Sequence, residues 1–145
     1  MTPAVLDRPW LSFDLGQPMQ VLSWAISRPG FVTARRIVWR EVRNADLPRD
    51  LDVGAWFAQE LAARGEGDSV AFLTSRDVSR FTQSTARAGD VTVDCVATVG
   101  LSNAERVGQR LDRSAQDWGT INIALRLSCG VTQAALIEAL SIAAQ

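Results

Sequence analysis

The chain has no histidine, no lysine and no tyrosine. Without histidine, it cannot form a Ser-His-Asp triad, a Cys-His pair or a histidine-bearing zinc site from its own residues. Without lysine, it has neither a Schiff-base amine nor a P-loop lysine. Any general base is therefore aspartate, glutamate, a thiolate, the α-amino group or a water held by one of these groups.

Cysteine is scarce, and the positive and negative charges nearly cancel. Cys95 and Cys129 are too few and too far apart for a CxxC redox or zinc motif, so we expect a reduced chain in the cytoplasm. The net charge of −1 gives no electrostatic reason to expect nucleic acid or an acidic membrane as a partner.

Long apolar runs are also absent. No run approaches the roughly 18 apolar residues of a membrane helix, and the first residues lack the basic-then-apolar order of a signal peptide. No spacing of carboxylates requires a metal, and we expect no cofactor. Whether the chain forms a homo-oligomer stays open.

The 145 residues, 47% of them hydrophobic, fit one domain spanning the whole chain. Hydrophobic periodicity and turn residues predict an alternating order of strands and helices. The elements are strands at 19–27 and 31–42, a helix at 52–64, a strand at 69–75, a helix at 76–86, a strand at 91–100, a short helix from 102 to about 110, a strand at 119–129 and a last helix capped by Thr132. This order predicts an α/β or α+β class, with a mixed β-sheet and helices packed mainly on one side.

Four segments, VLSWAISRPGFVTARRIVWREV, AFLTSRDVSRF, VDCVATVGLSNAERVG and WGTINIALRL, together resemble the adenosylcobinamide amidohydrolase family. The resemblance runs from about Gln20 to the last residue. It implies a corrinoid substrate and hydrolysis of the amide that joins the aminopropanol arm to the corrin ring of adenosylcobinamide. The products would be adenosylcobyric acid and aminopropanol, in corrinoid salvage.

The chain departs from the family pattern in three places. Arg28-Pro29-Gly30 replaces a glycine-rich turn, and 100–103 reads Gly-Leu-Ser-Asn instead of Gly-Leu-Gly-Asn. Family members usually continue past the last helix, so we expect that a C-terminal segment is missing. The competing interpretations are a corrinoid-binding module without catalysis and an unrelated amide hydrolase on the same scaffold.

The stretch from 91 to 108 bends at Gly100 between a strand and a helix start. Ser102 and Glu105 have the spacing of a capping box, which by itself explains the bend. The N–H groups of a helix start also suit an oxyanion, and amide hydrolysis forms one. Asn103 could pair with an amide of the corrin rim. Both interpretations stay open.

Two further polar clusters lie where strands end or begin. Thr74, Ser75, Arg76, Asp77 and Ser79 cluster where the strand at 69–75 ends and a helix begins, a place where α/β sheets bind ligands. A Ser75 cap, an Asp77 that favours the helix dipole and a solvated Arg76 explain them too. With histidine absent, Asp77 is the leading candidate for activating water or a hydroxyl such as that of Ser79. The third cluster is Gly119, Thr120 and Asn122. Its buried polar groups need hydrogen-bond partners, which are either other groups of the protein or a substrate amide.

Overall fold

β-Strands are the main regular element of the described chain. A computed structural model describes residues 2–102, 108–109 and 119–145, which contain seven β-strands and two α-helices. The strands are β1 (Val5–Asp7), β2 (Trp10–Ser23), β3 (Gly30–Glu41), β4 (Val70–Thr74), β5 (Thr82–Ala88), β6 (Val91–Val99) and β7 (Ile121–Leu127); the helices are α1 (Val53–Ala63) and α2 (Gln133–Ala143).

The strands form two sheets. The first has the order β1-β2-β3-β4, in which β3 and β4 are parallel and the other neighbours antiparallel. The second is an antiparallel sheet of β5, β6 and β7. The predicted α+β class and the mixed pairing are therefore confirmed, but the strands are divided between two sheets, not collected in one.

The main core lies between the two sheets. Fully or nearly fully buried side chains of β2 and β3 pack there against Val96 of β6 and Ala124 of β7. The opposite face of the first sheet is covered by α1, whose Phe57 and Leu61 contact Trp10 and Val38. One face of the first sheet thus carries a helix, and its other face carries the second sheet.

The hairpin of β2 and β3 confirms the turn predicted at Arg28-Pro29-Gly30, since Ser23 pairs with Gly30 across it. Of the strand predicted at 19–27, residues 24–27 lie beyond the strand end at Ser23, and 19–23 belong to the second half of the longer β2. Its first half was missed because β2 is irregular: its register shifts between Asp14 and Met19. Gly16 has φ of +86°, a conformation that glycine adopts readily, and its N–H donates to Asp14 Oδ1 at 2.7 Å.

The helix predicted at 76–86 is wrong. Only Val78–Arg80 turns, as a single 3₁₀ turn, and β5 follows. The segment Thr82–Ala88 alternates and is rich in Ser and Thr, and it pairs along its whole length with β6. Ladder hydrogen bonds and β-branched side chains therefore outweigh the cap signal of Ser75, which does not start a helix.

The other helix predictions are confirmed where the structure describes them. Asp52 caps α1 by accepting from the Ala55 N–H at 3.0 Å, and Thr132 caps α2 by accepting from the Ala135 N–H at 3.2 Å. The strand predicted at 119–129 is present as the shorter β7. The short helix predicted from Ser102 to about Arg110 lies almost entirely outside the described residues.

The inner face of the second sheet carries polar side chains beside the core residues Val96 and Ala124. Asp94 and Thr98 are buried, and Asp94 pairs with Arg126, with Nη1 3.8 Å from Oδ2. The partly buried Asn122 shares this inner face, as its alternation with Ile121 and Ile123 predicted. The outer face of β7 carries exposed apolar side chains at Ile121, Ile123 and Leu125.

Candidate functional site

A cavity of about 440 Å³ lies beyond the carboxyl ends of β3, β4 and β6. Its volume falls in the range of small-molecule sites, roughly 300–1,000 Å³. Four chain segments meet there because β3 and β4 run parallel and the second sheet packs beside them. The lining residues are Val42, Arg43, Asn44, Ser75, Arg76, Gly100, Leu101, Ser102 and Gly119.

The structure brings together residues from all three predicted clusters. Ser75, Gly100, Ser102 and Gly119 all line the cavity although they are distant in sequence. Asn103, which was predicted beside them, lies outside the described residues. The three predicted clusters thus meet at one cavity, and their roles in binding and catalysis stay predictions.

Gly100 sits where two backbones approach closely. Its N–H donates to the carbonyl oxygen of Thr120 at 2.9 Å. A Cβ at this position would lie 3.3 Å from the Thr120 nitrogen and 3.4 Å from its oxygen, so a larger residue would push the two strand ends apart. The bend at Gly100 is therefore a junction between β6 and the start of β7, and its own N–H is already used.

Thr74 and Thr120 connect the two sheets behind the cavity. Their Oγ1 atoms are 2.9 Å apart, and Thr74 Oγ1 also accepts from the Arg76 N–H at 3.1 Å. Asn122 Nδ2 donates to the Leu73 carbonyl oxygen at 3.4 Å. The side chains of Thr120 and Asn122 thus have hydrogen-bond partners on β4, and no substrate is needed to supply them.

Asp77 and Ser79 form a local pair beside the cavity and are not among its lining residues. Asp77 Oδ1 accepts from the Ser79 hydroxyl at 2.6 Å and from the Ser79 N–H at 2.9 Å. These hydrogen bonds, with a smaller contribution from Arg8, lower the pKa of the Asp77 carboxyl below its usual range. The side chain is 40% exposed, so water reaches it.

Sequence reasoning missed an ion pair that fixes the segment after β4. Glu41 is buried and accepts from Arg8 Nη2 at 2.8 Å and from the Val78 N–H at 3.1 Å. Arg8 Nη2 also lies 3.5 Å from Asp77 Oδ1. The available signal was alternation: Glu41 shares a strand face with the buried Ile37 and Trp39.

Sequence reasoning did not predict the charge of the cavity. Arg43 and Arg76 line it, and among its described lining residues there is no aspartate or glutamate. Arg76 was interpreted as a solvated side chain of the cluster after β4, and Arg43 lies in no motif. The cavity can therefore donate hydrogen bonds to an anion or a carbonyl oxygen.

Neither a metal cluster nor a membrane helix occurs in the described part of the chain. Across residues 2–102, 108–109 and 119–145, no three Cys, Asp or Glu side chains are grouped to hold a metal ion. Neither α1 nor α2 is long and apolar enough to span a bilayer.

Comparison with known proteins gives one match. The sequence model of a protein family described as adenosylcobinamide amidohydrolase (CbiZ) matches residues 3–145. The match begins before Gln20 and so includes β1 and the first half of β2. No curated protein and no solved structure matches the chain.

Proposed function

The chain belongs to the adenosylcobinamide amidohydrolase family, and from this we propose that it hydrolyses the amide joining the aminopropanol arm to the corrin ring of adenosylcobinamide. The products are adenosylcobyric acid and aminopropanol. The observation that carries the proposal is the cavity at the strand ends, which combines hydrogen-bond donors with two arginines. Its volume suits an amide arm of the substrate, while the larger corrin ring lies against the outside of its mouth.

Amide hydrolysis needs a base for the attacking group, and Asp77 supplies it in this proposal. The Asp77 carboxyl, whose pKa is lowered from an already acidic value, is ionised at neutral pH and so can accept a proton. The Ser79 hydroxyl already donates to Asp77 Oδ1 at 2.6 Å, which is the arrangement in which a carboxylate accepts a proton from a hydroxyl. Asp77 accepts the proton, and the Ser79 oxygen, or a water in its place, attacks the amide carbonyl carbon.

The second need is donors for the oxyanion that forms as the carbonyl is attacked. The Gly100 N–H is used by Thr120 and is excluded from this role. We assign it instead to the Arg76 guanidinium, which lines the cavity, and to the backbone N–H groups that the sequence predicts for this role at Ser102 and Asn103, of which Asn103 lies outside the described residues. Thr120 and Asn122 orient the substrate indirectly, by holding the strand ends that form the cavity wall.

One observation favours a second candidate function, a corrinoid-binding module without catalysis. Neither Asp77 nor Ser79 lines the cavity, and Asp77 already accepts two hydrogen bonds from Ser79. A module of this kind would use the same cavity to hold an amide arm and would release no product.

The deciding experiment is incubation of the protein with adenosylcobinamide, followed by mass spectrometry for free aminopropanol. We expect release by the wild-type chain and a loss of about a hundredfold or more in Asp77→Asn, because general-base catalysis contributes roughly 10²–10⁴ in rate. Asp90→Asn is the matched control, since Asp90 is fully exposed in the β5–β6 turn, and it should leave the rate unchanged.

The outcomes separate the two candidates. Release that persists in Asp77→Asn keeps the reaction and rejects the assigned base. Corrinoid binding without release of aminopropanol favours the binding module.

A further inference from the structure

The described lining of the cavity contains the arginines Arg43 and Arg76 and no acidic side chain. Other arginines of the chain have acidic partners: Arg8 pairs with Glu41 at 2.8 Å, and Arg40 pairs with Glu60 at 3.1 Å. Arg43 and Arg76 have no ion pair in the part of the chain that the structure describes. Asp46 lies three residues after Arg43, but its carboxylate accepts from the backbone N–H of Arg43 at 2.8 Å and forms no ion pair with the Arg43 guanidinium among the described residues.

Arg76 provides the strongest sign that a ligand completes this site. Its Nε is buried and has no hydrogen-bond partner among the described residues. A buried donor left unpaired is costly, and a guanidinium presents its donors in a fork that matches a carboxylate. Because Arg76 lines the cavity, an anion placed there would supply the missing partner.

The chemistry of hydrolysis indicates which anion this is, an inference that rests on the proposed function. The scissile amide is neutral. Water adds to the carbonyl carbon, the C–N bond breaks, and at neutral pH the products are a carboxylate on the corrin ring and an ammonium on aminopropanol. Two unpaired arginines favour the carboxylate over the neutral amide and disfavour the ammonium.

We propose that Arg43 and Arg76 form a carboxylate site for the acid product. Adenosylcobyric acid then binds more tightly than adenosylcobinamide, and it inhibits the reaction by occupying the cavity. Aminopropanol is repelled by the same charges and leaves first. The enzyme is thereby regulated by its own product, and release of the acid limits turnover.

The test is a binding measurement that needs no turnover. Adenosylcobyric acid and adenosylcobinamide are each titrated into the full chain by calorimetry, with wild type, Arg76→Gln, Arg43→Gln and Arg87→Gln. We expect each cavity variant to weaken acid binding by roughly tenfold to a hundredfold and to change cobinamide binding less than threefold. Arg87→Gln is the control, because Arg87 is 70% exposed, lies near the end of β5 and is not among the residues that line the cavity.

Two results overturn the proposal: wild-type protein that binds the acid no more tightly than cobinamide, and an Arg76→Gln variant that weakens both ligands equally. If circular dichroism shows that Arg76→Gln is unfolded, the affinities for the acid and for cobinamide are compared in Arg43→Gln and Arg76→Lys instead. Assay of aminopropanol separates the two proposals. If the protein binds the acid selectively but releases no aminopropanol, the proposed hydrolysis is rejected and the carboxylate site stands. If it releases aminopropanol but does not prefer the acid, the carboxylate site is rejected and the hydrolysis stands.

Discussion

Asp77 owes its acidity to one neighbour in sequence. The Ser79 hydroxyl is the largest cause of its lowered pKa, followed by the Ser79 N–H, and Arg8 adds a smaller effect. A lowered pKa means that the ionised form is favoured in the folded chain. Its contribution to folding is therefore present above the unfolded pKa, near 3.9, and is lost as the pH falls through the lower folded value.

This cause can be tested by removing the hydroxyl alone. In Ser79→Ala we expect the pKa of Asp77 to rise toward its ordinary value without reaching it, because the Ser79 backbone donor remains. Carboxyl-carbon NMR titration of both proteins measures the shift, with the exposed Asp90 as internal reference. An unchanged Asp77 midpoint in Ser79→Ala would contradict the assignment.

At the residue scale, sequence reasoning selected Asp77 and the neutral polar residues around it and gave no role to the arginines. Ser75 and Ser102 were each predicted at a strand end, and the structure brings them to one cavity. Arg76 was interpreted as a solvated side chain, because the burial of its Nε without a partner among the described residues is visible only in the packed chain. Glu41 was missed because its partner Arg8 precedes β2, in a region where no element was predicted.

Among the elements, α1 follows its sequence signals closely and β5 does not. Asp52 and the apolar spacing of Phe57 and Leu61 are local features, and the folded chain uses them as predicted. The segment of β5 carries a cap signal as well, but its pairing with β6 is stronger. Local signals therefore predicted α1, which packs through its own apolar stripe. They failed for β5, where pairing with the neighbouring strand β6 outweighs the helix cap signal.

The cap of α1 gives a measurable increment of stability. Asp52→Ala should lower the free energy of unfolding by about 1 kcal/mol, within a range of roughly 0.5–2, because the Ala55 N–H loses its acceptor. Chemical denaturation of the wild type and the variant measures the difference. Asp50→Ala is the matched control on the same exposed loop, and an equal loss there would mean that general charge, not the cap, is responsible.

For the molecule as a whole, the join between the sheets is the feature that sequence could not supply. The class and most strands were predictable from periodicity. The division into two sheets depends on β2 continuing back to Trp10 and on the inner face of β6, where Asp94 and Thr98 are buried against expectation. The usual rule for a half-buried strand is that apolar residues face the core and polar residues face solvent. Buried polar residues in β6 break this rule, so the sequence pattern indicated a strand but not which sheet it packs against.

The Thr74–Thr120 hydrogen bond tests this join. Thr120→Val should cost about 0.5–1.5 kcal/mol in unfolding free energy, and the cycle with Thr74→Val should give a coupling of roughly 0.5–3 kcal/mol. Urea denaturation of the four proteins provides the values. A parallel cycle of Thr74→Val with Thr82→Val, at the exposed start of β5, should be additive; strict additivity in the first cycle would contradict the link.

Because the cavity wall is shared by both sheets, any molecule held there ties one sheet to the other. A ligand that binds only the folded state adds stability in proportion to the logarithm of its concentration above its dissociation constant. A molecule held in this cavity would therefore slow proteolysis of the chain when that molecule is abundant. The amount of protein in the cell would follow the supply of the ligand without any change in gene expression.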